Sequence, residues 1–133
     1  DGVDFVEQAI DMAKVKLADF PDDQYGVFCH DVTQLEGLTE LRPPYNLVVD
    51  IGCGHGLDKD KNEKYAQDIA GLLKPEGIFM LYSSQPRQDS TVGWSPDDIH
   101  RLFTPYFEIE WQVLSDDTSI GFPAGWYRLK RKP

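Results

Sequence analysis

The sequence predicts an α/β fold whose strands are mostly parallel and whose last two form an antiparallel hairpin. Two patterns lead to this. Apolar runs of strand length at 26–29, 45–51 and 78–84 alternate with helical segments at 5–18 and 61–73, the βαβ signature of a parallel sheet. After a further helix at 96–103 the apolar period drops to two, over 106–114 and again over 125–131, which reads as a pair of half-buried strands.

Taken in order, Gly2-Val3-Asp4 has the form of a strand's last residues. Phe5, Val6, Ala9, Ile10, Ala13 and Leu17 then recur at helical spacing, so Asp4 is an acid at a strand tip, directly before an amphipathic helix. Asp31 lies just beyond the strand at 26–29. Lys74-Pro75-Glu76-Gly77 reads as a turn and 86–93 as a polar loop, with 85–95 placed to act as a lid. Ser95-Pro96-Asp97-Asp98 starts a helix with a capping serine, proline at the first helical position and carboxylates at its positive end. In the hairpin, Phe107, Ile109, Trp111 and Val113 alternate with Glu108, Glu110 and Gln112, predicting one buried and one wet face, with 115–124 as the connection. No repeat, low-complexity stretch or linker is visible, so 1–133 is expected to form one compact unit.

With 13 basic and 23 acidic residues the net charge is −10, which repels polyanions and argues against nucleic acid as a partner. Arg128, Lys130, Arg131 and Lys132 read as the solvated end of the last strand. No apolar run approaches the roughly 18 residues that span a bilayer. The two cysteines, Cys29 and Cys53, fall at strand ends without a disulfide framework, and a cytoplasmic chain with reduced thiols is expected. Cys29 and His30 are adjacent, which would point them to opposite sides of a strand. No metal site is assigned.

Asp50-Ile51-Gly52-Cys53-Gly54-His55-Gly56 imitates a dinucleotide-binding glycine loop. Such a loop needs a second strand ending in an acid about 20 residues on. The next strand here ends in Ser83-Ser84-Gln85, and too few strands follow for a doubly wound sheet counted from its first strand. The loop is therefore expected to follow a later strand.

These residues together resemble the class I S-adenosylmethionine-dependent methyltransferases. Gly2-Val3-Asp4 with Ala9-Ile10 is similar to the end of that family's second strand and its helix, and His30-Asp31-Val32 to the segment after the third. Tyr45-Asn46-Leu47-Val48-Val49-Asp50 is similar to the fourth strand, and Leu72-Leu73-Lys74-Pro75-Glu76-Gly77-Ile78-Phe79-Met80-Leu81 to the approach to the fifth. The resemblance implies a Rossmann-like sheet, N-terminally incomplete in residues 1–133, because the family's first strand and its Gly-rich loop have no counterpart. The shortfall is at least one βαβ unit, roughly 30 residues. Because that strand is central, its lack would divide the sheet and expose apolar faces along the gap. An upstream segment, or another chain such as a second copy, would complete it.

The resemblance further implies S-adenosylmethionine as cofactor and methyl transfer to a small-molecule acceptor by in-line displacement. Asp4 would hold the ribose hydroxyls, Phe5 would flank the adenine, and Asp31 with Val32 would meet its edge. Ile51, Gly52 and Cys53 would line the methionine moiety, where small residues let the main chain come close. His55 is the candidate for proton chemistry, since it titrates near neutral pH beside the expected methyl position. Tyr82, Trp94 and Trp126 are candidates for the acceptor pocket. Asp4 and Asp31 could instead cap turns, His55 could merely position the acceptor, and Asp50 could bind a loop amide. The alternative to catalysis is a binding or assembly module that keeps part of the sheet but has lost the cofactor loop.

Overall fold

A computed structural model describes residues 1–87, 90, 92–117 and 122–133. Its contacts divide the chain into two units, 1–42 and 43–133.

The first unit holds β1 (Gly2–Asp4), α1 (Glu7–Leu17) and β2 (Val27–Cys29), with β1 and β2 paired in parallel so that Asp4 faces Cys29. Within α1, Ile10 is buried and Ala9, Ala13 and Leu17 are half-buried, the stripe that the spacing predicts. Phe5, Met12 and Val15 are exposed. A 3₁₀ segment over Val32–Gly37, which periodicity did not announce, follows β2 and is capped by Asp31.

The second unit is a four-stranded sheet in the order β3-β4-β6-β5, built from β3 (Tyr45–Ile51), β4 (Leu73–Ser84), β5 (Phe107–Asp117) and β6 (Phe122–Arg131). β3 and β4 are parallel, whereas β6 lies antiparallel between β4 and β5. Among the described residues two strand pairs are parallel and two antiparallel, in two separate sheets. The expected turn at Lys74–Gly77 lies inside β4. Tyr45 pairs with Leu73 but Leu47 with Ile78, so the surplus residues are turned out of the ladder where Glu76 takes φ 66°.

One face of this sheet carries the core. Phe79, Leu81, Tyr127, Leu129 and Phe107 are covered by Tyr65, Ala66, Ile69 and Ala70 of α2 (Asn62–Leu72) and by Ile99, Leu102 and Phe103 of α3 (Pro96–Phe103). The rings of Phe79, Phe103 and Phe107 stand 5.6 to 6.1 Å apart, and Trp94 meets Phe103 edge-on at 5.5 Å. α3 begins with the predicted cap, since the Asp98 amide donates to Ser95 Oγ (3.1 Å) and the Ser95 amide to Asp98 Oδ2 (3.0 Å).

The hairpin departs from simple alternation. A bulge between Ile109 and Trp111 resets the register, so Trp111 faces Arg128 and Val113 faces Trp126 on the side opposite the helices. Trp111 and Val113 are therefore exposed, not buried as their spacing suggested. That same side carries Leu47, Val49 and Ile51 of β3, all at least half exposed. The strands also run further than expected, to Asp117 and from Phe122, while 118–121 of the connection lie outside the described residues. So do 88, 89 and 91 of the expected lid.

Candidate functional site

In the first unit both predicted acids stand at the carboxyl ends of the strands, where ligands of open α/β sheets bind. Asp4 Oδ1 accepts the Val6 amide (2.8 Å), closing an Asx turn ahead of α1, and Oδ2 has no partner among the described residues. Asp31 Oδ1 accepts the Thr33 amide (2.8 Å), the capping duty of an Asx turn. Phe5 is 75% exposed, its backbone carbonyl accepting from Cys29 Sγ (3.6 Å), and Val32 opens the 3₁₀ segment.

In the second unit the loop after β3 is organised by a buried carboxylate. Asp50, 5% exposed, accepts the Cys53 amide at Oδ1 (2.7 Å), and at Oδ2 both the Gly54 amide (2.9 Å) and the Tyr65 hydroxyl (2.8 Å). Burial, then the Asp50 charge and its hydrogen bond, push the Tyr65 phenol well above its ordinary value, so Tyr65 stays a donor. Two glycines make the turn possible. Gly52 has φ 89°, and a Cβ at Gly54 would lie 2.6 Å from Tyr65 Cε1 and 2.8 Å from Asp50 Oδ2. Ile51, Gly52 and Cys53 are left exposed at the end of β3.

His55 sits just beyond, its carbonyl accepting the Gly93 amide (3.0 Å). Burial lowers the imidazole pKa, opposed by the Asp50 charge and by a hydrogen bond to the Tyr82 backbone. Nδ1 is buried with no partner. A cavity of about 290 Å³ is lined by His55, Lys59, Asn62, Trp94, Asp98 and Arg101, with Leu57, Pro86, Ser90 and Gly93. Asn62 is 5% exposed, and its Oδ1 is likewise unpartnered. Hydrogen bonds from Ser95 hold the Asp98 carboxyl below its ordinary value.

The three predicted aromatics do not gather. Trp94 is buried beside the cavity, against Tyr65 and Phe103. Tyr82 and Trp126 pair with each other, centroids 5.2 Å apart, on the opposite face of the sheet. Sequence reasoning missed Tyr65, Lys59, Asn62 and Arg101. The one available signal was the Asp98/Arg101 spacing, which places a cation one turn beyond a cap. Cys29 and Cys53 are exposed free thiols. Among the described residues no helix is long and apolar enough to cross a membrane.

Strand order and pairing are those of a class I methyltransferase fold, and solved structures bear this out. The chain is similar to the N-methyltransferase NodS of Bradyrhizobium japonicum WM9 in complex with S-adenosylhomocysteine, at TM-score 0.79 and 14% identity, covering 98% of this chain and 65% of that one. It is also similar to the 1,6-didemethyltoxoflavin-N1-methyltransferase of Burkholderia thailandensis with bound 1,6-didemethyltoxoflavin and S-adenosylhomocysteine (TM-score 0.76, 16% identity, 98% and 60% covered). A TehB-like SAM-dependent methyltransferase from Corynebacterium glutamicum gives TM-score 0.73 at 17% identity, with 98% and 67% covered. The chain thus spans about two thirds of these proteins' length. No family model and no curated protein matches the sequence.

Proposed function

We propose that residues 1–133 belong to one cytoplasmic catalytic domain that transfers a methyl group from S-adenosylmethionine to a small-molecule acceptor. The observation that carries this reading is the likeness of nearly the whole chain, with β6 antiparallel between β4 and β5 beside the parallel pair β3/β4, to methyltransferases crystallised with S-adenosylhomocysteine.

The residues present suit the cofactor. Asp4 keeps Oδ2 uncommitted, an acceptor for ribose hydroxyls, and the exposed Phe5 ring offers a flat apolar wall for adenine. The family resemblance gives Asp31 and Val32 of the first unit the adenine edge, and gives Ile51, Gly52 and Cys53 of the second the methionine portion. When bound, the cofactor supplies a methyl group already activated on a sulfonium, so the protein's task is alignment and exclusion of water.

His55 is the proton acceptor in this reading. Its Nδ1 is buried without a partner beside the cavity, and burial favours the neutral ring that can accept a proton. Trp94 walls the acceptor, and Tyr82 and Trp126, on the opposite face of the sheet, take no part in it. A strand completing the sheet, from the same polypeptide or from a second copy, would pair with the edge of β3 that faces away from β4.

Calorimetry on the full-length protein tests the proposal. S-adenosylhomocysteine should bind, and Asp4→Ala should weaken it by roughly 10- to 100-fold, the loss of a hydrogen bond to a charged group. Binding of a nicotinamide dinucleotide instead would sink the proposal, and binding of neither would favour a non-catalytic assembly module.

A further inference from the structure

We propose that the cavity beside His55 takes a small monoanionic acceptor, an acid whose carboxylate sits on Lys59 and Arg101 and whose hydroxyl or amine donates to Asn62 Oδ1. As an acceptor site this rests on the methyltransferase reading. As an anion site it rests on the cavity alone.

The charge around the cavity is opposite to that of the molecule. The chain carries −10, yet the lining holds Lys59 and Arg101 against one carboxylate, Asp98. Asp98 is already engaged: Oδ2 takes the amide and hydroxyl of Ser95, and Oδ1 lies 3.8 Å from Arg101 Nη2. Arg101 also reaches Glu63 at 3.3 Å, but that carboxylate is largely exposed and holds it weakly. Lys59 makes no hydrogen bond or ion pair with the described residues, though its charge, after the Ser95 hydrogen bonds and the charge of Arg101, helps to lower the Asp98 carboxyl. The surplus is about one positive charge, which matches a carboxylate better than a dianionic phosphate.

The second observation is the pair of stranded polar atoms. Asn62 Oδ1 and His55 Nδ1 are both buried without partners, on residues that line the same cavity. Such atoms are rarely left unmet in a finished structure. Oδ1 only accepts, so it calls for an N–H or O–H donor from an occupant, while His55 Nδ1 accepts in one neutral tautomer and donates in the other. An acid bearing a hydroxyl or amine satisfies the cations and Asn62 Oδ1 together. Trp94, Pro86 and Leu57 supply apolar wall between them, and about 290 Å³ limits the occupant to a small molecule.

The test uses full-length protein and three probes: 4-hydroxybenzoate, its uncharged isostere 4-hydroxybenzamide, and benzoate. The hydroxy acid should bind about tenfold more tightly than the amide, and Lys59→Gln with Arg101→Gln should remove most of that difference. Benzoate should bind more weakly than 4-hydroxybenzoate to the native protein but equally to Asn62→Leu. The Trp94 indole N–H resonance should shift on binding, placing the probe in this cavity. Equal affinity for acid and amide, an undiminished acid affinity in the double variant, or no binding of any probe would overturn the proposal. S-adenosylhomocysteine is titrated separately. Acid binding without it would keep the anion site and remove its role in methyl transfer, whereas cofactor binding with indifferent probes would remove the anion site alone.

Discussion

Tyr65→Phe isolates the bond that holds the loop after β3. The substitution deletes one hydroxyl and keeps the ring against Trp94, 6.3 Å between centroids. Asp50 would fall from three side-chain hydrogen bonds, at 2.7, 2.9 and 2.8 Å, to two. A hydrogen bond to a charged group contributes about 1.5–3 kcal/mol, so Tyr65→Phe should lower unfolding stability by about 2 kcal/mol. That is a large share of the roughly 5–15 kcal/mol typical of a domain. Asp50→Ala strands the hydroxyl and two amides, at about 1–3 kcal/mol for each donor that water does not reach, so it should cost more than Tyr65→Phe. Urea unfolding of both single variants and the double variant reads this directly, since the Tyr65 effect should largely vanish once Asp50 is gone. A Tyr65→Phe variant within about 0.5 kcal/mol of the native protein would refute the assignment of Asp50 as the organiser of this loop.

The same pair sets an alkaline limit. Burial first, and Asp50 second, raise the folded-state value of Tyr65 above its ordinary 10.0. A raised value means that its contribution is full below the unfolded pKa and is lost as pH climbs through the folded one. Native protein should therefore destabilise above pH 10, and Tyr65→Phe should flatten that decline. Tyr127, raised by burial, supplies a remainder of the same sign.

Other consequences are more local. Gly54→Ala places a methyl 2.6 Å from Tyr65 Cε1 and 2.7 Å from Trp94 Cη2, and should destabilise by about 1–3 kcal/mol in a thermal or urea melt. Phe103→Ala empties the centre of the ring cluster and should cost about 3–5 kcal/mol in the same assay. His55, lowered below 6.5 by burial, contributes stability that is complete above that pH and is lost as pH falls through its folded value. If His55 takes the acceptor's proton, the pH–rate profile should show an acid limb with its midpoint below 6.5, absent in His55→Gln.

The elements were legible where local chemistry decides them. β3 matches its predicted span, α1 and α2 end within two residues of theirs, and the Ser95/Asp98 cap reads straight from the sequence. Asp4 and Asp31 are legible at strand tips because a short apolar run ends just before each of them. What was not legible depends on pairing across distance. The bulge that turns Trp111 and Val113 outward exists only in the register of β5 against β6. Tyr65 meets Asp50 from a helix 15 positions on, and the cavity gathers side chains from the loop after β3, α2 and α3. The split of Trp94 from Tyr82 and Trp126 follows from which face of the sheet each one leaves.

The glycine loop shows why a motif must be read with its partners. A phosphate cradle works through main-chain N–H groups left pointing at the ligand. Here the Gly52 amide donates to the Tyr82 carbonyl (3.2 Å), those of Cys53 and Gly54 to Asp50, and that of Gly56 to the Cys53 carbonyl (3.0 Å). With these donors engaged, the loop offers an incoming ligand mainly carbonyl oxygen and Cα, beside a buried carboxylate. Such a surface leaves few N–H groups for a pyrophosphate. The acid before Gly-x-Gly-x-Gly, which gives the motif its dinucleotide look, is the residue that disables it for that purpose.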